Sequence, residues 1–278
     1  MYQVVKVLNN NGVLAKCLDS SCEYIFLGTG IGFGKKVGET FASKPDARVY
    51  VFKDSLKTED KLSVINNIDP VYLDISNEII LAAEKRFGSF DNNILLPLAD
   101  HIAFSIERQK KGLEIVNPLN ADIKILFSEE YQVASLAEEI IKRYTGYTIL
   151  EDEIGYITMH IHSALTKEHL RNSMSIVYIV EEFIKKIETK NQIVIDKESL
   201  SYNRLLSHIK YMIARALKKE ELQVDITPYV KAEFAESYAI SNELCQDLGK
   251  DLECTFKETE ISYLAIHIER VKQSEKHE

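Results

Sequence analysis

Thr148-Ile-Leu-Glu-Asp-Glu-Ile-Gly-Tyr-Ile-Thr-Met-His-Ile161 stands 107 residues before Thr255-Phe-Lys-Glu-Thr-Glu-Ile-Ser-Tyr-Leu-Ala-Ile-His-Ile268, and seven of the fourteen positions are identical. Ordinary residue usage yields roughly one match over such a length. The identities are Thr148/Thr255, Glu151/Glu258, Glu153/Glu260, Ile154/Ile261, Tyr156/Tyr263, His160/His267 and Ile161/Ile268. The same offset sets Asp100-His101-Ile-Ala-Phe-Ser-Ile-Glu-Arg108 against Ser207-His208-Ile-Lys-Tyr-Met-Ile-Ala-Arg215, and Phe127 and Tyr131 against Phe234 and Tyr238. Most of the chain is therefore one domain written twice, over 64–170 and 171–278.

Each copy reads as helix. Ile154, Ile157, Ile161 and Ala164 form one apolar stripe, and Ile261, Leu264, Ile268 and Val271 repeat it. Thr148-x-x-Glu151 and Thr255-x-x-Glu258 have the spacing of capping boxes, in which hydroxyl and carboxylate satisfy free N–H groups at a helix start. Polar connectors are expected near 54–62 and 166–174. Amphipathic helices of this length pack as small bundles.

The first 53 residues follow another period. Tyr2 to Leu8 is β-branched and ends in Asn9-Asn10-Asn11-Gly12, a strong turn signal. Val13–Leu18, Tyr24–Leu27 and Arg48–Phe52 complete four short strands, and Gly28-Thr-Gly-Ile-Gly-Phe-Gly-Lys-Lys36 fills one connection. The expected fold is thus α+β and multidomain: a small antiparallel β-sheet in residues 1–57, then two duplicated all-α bundles. Four short strands make a meagre core, so the sheet is expected to dimerise.

Charge divides at the same boundary. The 278 residues hold 34 basic and 43 acidic side chains, −9 in all, yet residues 1–57 carry +3 and the remainder −12. An acidic total argues against a nucleic-acid binder only when it is spread evenly. Here a cationic module precedes an acidic body. Cys17, Cys22, Cys245 and Cys254 form no C-x-x-C pair, which suits packing residues in a reducing cytoplasm. No basic-then-apolar leader opens the sequence and no apolar run nears the ~20 residues of a membrane span. A cytoplasmic protein without membrane insertion is expected.

Four of the seven histidines keep the repeat register: His101 and His160 are 59 residues apart, as are His208 and His267. Each precedes an isoleucine of the buried stripe, so each ring is expected at the border of an apolar face, one nitrogen toward solvent. His160-x-His162 suggests a metal pair, but residues two apart on a helix point away from each other, and no H-E-x-x-H pattern accompanies it. Asp100 beside His101 is equally ill placed to orient a base, and no nucleophile elbow or phosphate loop is present. No metal, cofactor or catalytic set is expected. Reversible phosphorylation remains: a neutral imidazole is a nucleophile near pH 7, and its phosphoramidate brings about two negative charges into a helix seam. In the cationic sheet, Lys6, Asn9, Asn11, Phe33, Lys35 and Lys36 combine phosphate contact, base-edge amides and a stacking ring.

Lys6-Val-Leu-Asn-Asn-Asn11, Gly28-Thr-Gly-Ile-Gly-Phe-Gly-Lys-Lys36, Asp100-His101 and Glu153-Ile-Gly-Tyr-Ile-Thr-Met-His-Ile-His162 together resemble the BglG/SacY-type transcriptional antiterminators, over the whole chain. The glycine loop and His-Ile-His-Ser-Ala-Leu look most like the glucose branch. The resemblance implies a co-antiterminator RNA-binding domain followed by two phosphotransferase-system (PTS) regulation domains. It implies a homodimer that binds a leader-mRNA hairpin and prevents an overlapping terminator from forming, a regulator rather than an enzyme. It places Lys6, Asn9, Asn11, Gly28, Thr29 and Phe33 at the RNA, His101 and His160 in the first regulatory pair, and His208 and His267 in the second. The phosphoryl donors it implies are a sugar permease for the first domain, usually inactivating, and the histidine phosphocarrier protein for the second, often activating. Many members have Arg or Lys where this chain has Thr29, which removes one cation from the loop. A PTS-regulated DNA-binding factor and a metal-dependent hydrolase are the alternatives; the first usually begins with helix-turn-helix segments, where residues 1–53 read as strands.

Overall fold

The computed structural model describes residues 1–20, 22–42, 47–51, 68–89, 91–113, 115–167 and 170–274. Phe52 and the connector expected near 54–62 lie outside them. The chain divides into two compact units, Met1–Pro118 with Glu129–Leu170, and Leu119–Ser128 with Arg171–Glu278.

The first unit opens with an antiparallel sheet of β1 (Tyr2–Asn9), β2 (Gly12–Cys17), β3 (Glu23–Leu27), β4 (Thr40–Phe41) and β5 (Arg48–Val51), in the order β4-β1-β2-β3-β5. Five strands stand where four are expected. β4 is two residues long, pairing Phe41 with Tyr2 and Thr40 with Gln3, too short to show a period of two. One face packs Val4, Val13, Ala15, Phe26 and Phe41 with Ile31 from the glycine loop. Tyr2 and Phe41 meet the Phe26 ring edge-on at 4.7 and 5.2 Å.

The opposite face is buried too. Leu14 pairs with Ile25, and Ile25 with Tyr50, so the three share a face, and none is more than 1% exposed. Helix α1 (Pro70–Phe87) is tied to the sheet by side-chain bonds, among them Tyr50 Oη to Asn77 Oδ1 at 2.7 Å, and β5 also meets the 3-10 turn that follows the helix in the chain. Asp69 caps it, its side chain accepting from Val71 N–H at 3.0 Å, Pro70 opens it, and Gly88 ends it at φ 89°. Both faces of the sheet are thus buried within the chain.

After a 3-10 turn (Asn92–Ile94) come α2 (Leu95–Lys110), α3 (Asn120–Leu126), α4 (Ser128–Ala134), α5 (Leu136–Thr145) and α6 (Glu151–Thr166). Leu73, Ile75, Ile79, Ile80 and Ala83 are the buried apolar residues of α1, which packs on α2 and α5. The second copy runs α7 (Leu170–Asn191), α8 (Leu200–Lys218), α9 (Thr227–Glu233), α10 (Ala235–Asp251) and α11 (Glu258–Ser274). The stripe residues of α6 and α11 are all buried, as the repeat requires. The fold is α+β, a small sheet followed by helical bundles.

Three local expectations are corrected. α6 and α11 begin at Glu151 and Glu258, three residues after the threonines, and Leu150 caps α6 with no side-chain bond. The glutamates serve other partners: Glu151 accepts from Tyr131 Oη at 3.1 Å and Glu258 from Lys231 Nζ at 2.9 Å. As first-turn acids they still complement the helix dipole. The connector at 166–174 is shorter than expected, since α6 reaches Thr166 and α7 starts at Leu170. Finally, α3 packs on α8 in the second unit, whereas its repeat copy α9 packs on α10 and α11. Buried Asp122 explains the difference: it accepts from Tyr202 Oη and from Lys197 Nζ at 3.0 Å, while its register counterpart is Tyr229, an exposed ring.

Candidate functional site

Each copy of the repeat brings its two histidines face to face. His101 on α2 lies against His160 on α6, ring centroids 5.3 Å apart and tilted by 44°. His208 on α8 and His267 on α11 stack at 4.7 Å and 25°. Tyr156 and Tyr263, another identity of the repeat, flank them at 5.7 and 6.3 Å. The spacing of 59 residues is therefore one helix pair closing on itself, twice.

A charged pair that the sequence reading passed over lies beside each. Glu153 is buried, with Oε1 accepting from Arg108 Nη2 at 2.6 Å and Oε2 3.1 Å from His101 Nε2. Burial pulls its carboxyl upward, but the His101 and Arg108 contacts outweigh it and hold the group below the ordinary range. In the second copy Arg215 takes Glu260 bidentately, Nε to Oε1 at 2.5 Å and Nη2 to Oε2 at 2.9 Å. The signal for these residues was on the page: Glu153/Glu260 and Arg108/Arg215 are charged identities within an otherwise apolar repeat. Asp100 is exposed; the carboxylate at His101 comes from α6.

His160 departs from the expected border position. It is 8% exposed, because α6 is buried around most of its circumference, from Glu153 through Ala164. Burial, aided by His101, pushes its imidazole down to about 3. Burial also lowers His208 to about 3, with His267 and Arg215 adding to it, and His267 to about 4, with Arg270 and Arg204 adding. At neutral pH these rings are uncharged, each with a basic nitrogen. His162, two residues on, turns elsewhere, its Nδ1 2.9 Å from Glu130 Oε1. Among the described residues no group of three or more His, Cys, Asp or Glu is placed to hold a metal.

In the sheet, the glycine loop is bolted to the asparagine turn. Gly28 N–H donates to Asn11 O at 2.8 Å, Gly32 N–H to Asn10 O at 3.0 Å, and Gly30 N–H to Asn11 Oδ1 at 3.0 Å. Gly32 is dictated by this docking, since a Cβ there would stand 2.0 Å from Asn9 O. The two segments thus present one surface, with Phe33 75% exposed at its tip and Thr29 and Lys36 exposed beside it. Lys6 is half-buried. Lys35 is committed to Glu39 at 2.8 Å and lies 5.0 Å over the Phe41 ring. Asn9 and Asn11 also do structural work: Asn9 Oδ1 accepts from Asn11 N–H at 2.8 Å, closing the turn.

The CAT RNA binding domain family matches residues 2–59, and the PRD domain family matches residues 77–164 and 181–271. The beta-glucoside operon antiterminator of Dickeya chrysanthemi is 28% identical over 274 residues, 97% of this chain and 96% of that protein. The PtsGHI operon antiterminator of Bacillus subtilis (strain 168) is 34% identical over 274 residues, 97% of each chain. The crystal structure of GlcT CAT-PRDI is similar with a TM-score of 0.52 and 37% identity, over 59% of this chain and 98% of that one. Among the described residues no helix is long and apolar enough to cross a membrane.

Proposed function

Because the chain belongs to the antiterminator family that joins a CAT RNA binding domain to two PRD domains, we propose that it is a sugar-responsive transcription antiterminator. Residues 1–57 bind a leader-mRNA hairpin as a cytoplasmic homodimer and keep an overlapping terminator from forming. Residues 64–170 and 171–278 are the regulatory domains, and the glucose system is the favoured one.

The observation that carries this reading is the duplicated face-to-face histidine pair. A neutral, positioned imidazole attacks the phosphorus of the donor's phosphorylated side chain; the donor's own bond to phosphorus breaks as the new P–N bond forms, with no metal or oxidant. The donors are the phosphocarrier protein and the sugar permease, and His101, His160, His208 and His267 are the acceptors. Each phosphoryl group adds about two negative charges to a seam with little room for them, enough to change how subunits pack. The protein acts as a regulator, not as an enzyme.

In the RNA surface Phe33 stacks on an unpaired base, Asn9 and Asn11 read base edges, Lys6, Lys35 and Lys36 meet phosphates, and Gly28 and Thr29 allow close approach. The test is a filter-binding survey of the full chain against leader transcripts of sugar-uptake genes, with duplex DNA as competitor. Preferential RNA binding that weakens steeply with salt is expected; equal or tighter binding of duplex DNA overturns the RNA assignment. Transfer of radiolabelled phosphate from the phosphocarrier protein tests the histidines. Labelling that survives replacement of all four overturns that part.

A further inference from the structure

We propose that α1 is a latch on the sheet, in which Asp74 competes internally for the Asn9 amide and Glu84 for the Arg48 guanidinium, holding the RNA surface in a closed state. This rests on the RNA-binding reading above and adds its regulation.

Three polar contacts make the latch. Asn9 Nδ2 donates to Asp74 Oδ2 at 2.8 Å, Tyr50 Oη donates to Asn77 Oδ1 at 2.7 Å, and both terminal nitrogens of Arg48 donate to the two carboxylate oxygens of Glu84. Asp74, Asn77 and Glu84 lie three and seven residues apart, one stripe of α1, away from the Ile75–Ile79–Ala83 face that packs into the bundle. The stripe spans the sheet. Residues 74 and 84 are separated by about 15 Å along a helix, and β1 and β5 by about 14 Å at three strand spacings. One rigid element therefore touches the RNA turn and the far edge strand together.

The closed state spends the groups that RNA needs. Asn11 N–H takes one lone pair of Asn9 Oδ1 and Asp74 one of the two Nδ2 hydrogens, so the protein fixes the orientation of the amide, and turning it toward a base edge breaks the Asp74 bond. The Arg48–Glu84 pair anchors the other end of α1 to the far edge strand. The Asp74 carboxylate beside the turn also opposes a polyanion. The latch is not a deep well: the Asp74 carboxyl is raised by burial with only the Asn9 bond against it, and no cation among the described residues pairs with it. A state held this way is easily released by a change in the bundle to which α1 belongs.

The test uses the full chain and the leader transcript it binds tightest in the survey above. Asp74→Ala with Glu84→Ala is expected to tighten RNA binding about tenfold, because apparent affinity scales with the open fraction. Adding Asn9→Ala should remove the gain. Amide exchange of β5, read without RNA, should quicken in the same double variant. If that variant fails to fold by circular dichroism, Asp74→Ala alone removes the Asn9 acceptor and leaves the Arg48–Glu84 pair in place. Equal affinity of wild type and variant overturns the latch and leaves the RNA reading standing. Faster exchange with no RNA bound by any of these chains overturns the RNA reading, and the latch's regulatory role with it. Tightening that persists with Asn9→Ala overturns the competition for Asn9.

Discussion

Acid should loosen the histidine pairs, and His160 sets the size of the effect. Its imidazole is held at about 3 in the folded chain against an ordinary 6.5. Between those values the unfolded chain binds a proton that the folded chain refuses, so stability falls as pH falls. The full slope for one such group is about 1.4 kcal/mol per pH unit. Integrated from about pH 6.5 to about pH 4.5, with the unfolded ring half-protonated at the upper limit, the loss is about 2 kcal/mol for His160 alone. His208 and His267 act in the same direction, but they are less buried and stack on each other, so their joint share is smaller than two independent groups. The assay is urea unfolding of the whole chain, followed by circular dichroism, at several pH values in that window. His160→Gln is the comparison: it removes the titrating ring at similar volume, and its own cost at pH 7 cancels because only the slope is compared. The variant should lose about 2 kcal/mol less than wild type across the window. Parallel curves would show that His160 protonates freely in the folded state, and the reasoning from its burial would be wrong.

Other outcomes follow from single contacts. Gly32→Ala puts a Cβ 2.0 Å from Asn9 O, so the loop must leave the asparagine turn, and RNA binding should fall at least tenfold while the helical signal is kept. Phe33→Ala changes an exposed ring, and should leave the thermal midpoint unchanged while weakening RNA binding by about 1–3 kcal/mol, the worth of one stacked base. Arg215→Gln strands the buried Glu260 carboxylate, with a loss of about 3–5 kcal/mol in urea unfolding. If Glu260→Gln in the same chain does not recover a good part of that, the pair is not what holds the site.

Much of this was legible because the domain is written twice. A polar identity inside an apolar stripe is conspicuous when it recurs at the same offset, and that alone paired His101 with His160 and His208 with His267. The sequence was silent where one copy departs from the other or where distant segments meet. Asp122 draws α3 into the second unit because Tyr202 and Lys197 lie there, and nothing local to residues 119–128 announces them. His160 loses its solvent edge because α6 is central in its bundle, a property of packing and not of period. The Asn9–Asp74 bond joins residues 65 apart across the sheet–helix junction, where each residue alone reads as an ordinary turn or helix-surface side chain. The two-residue β4 fell below the length at which alternation can be seen.

The duplication also shows how two similar domains can answer differently to one chemical event. Glu153 divides its carboxylate between Arg108 and His101, so a carboxylate oxygen stands 3.1 Å from the His101 ring. On the proposed reading, a phosphoryl group on His101 would set about two charges against a buried negative one and favour the parting of α2 and α6. In the second copy Arg215 takes both oxygens of Glu260, and His208 is left to stack on His267 with no carboxylate at its nitrogens among the described ion pairs. The local field at that pair is set by neutralised charge and by the cations Arg270 and Arg204, which lower the His267 imidazole, so on the proposed reading a phosphoryl group there would meet positive rather than negative charge. On the proposed reading the same register thus holds two unlike acceptor pairs, one with a carboxylate at its ring and one without, and α1 packs directly on α2, the helix that carries His101.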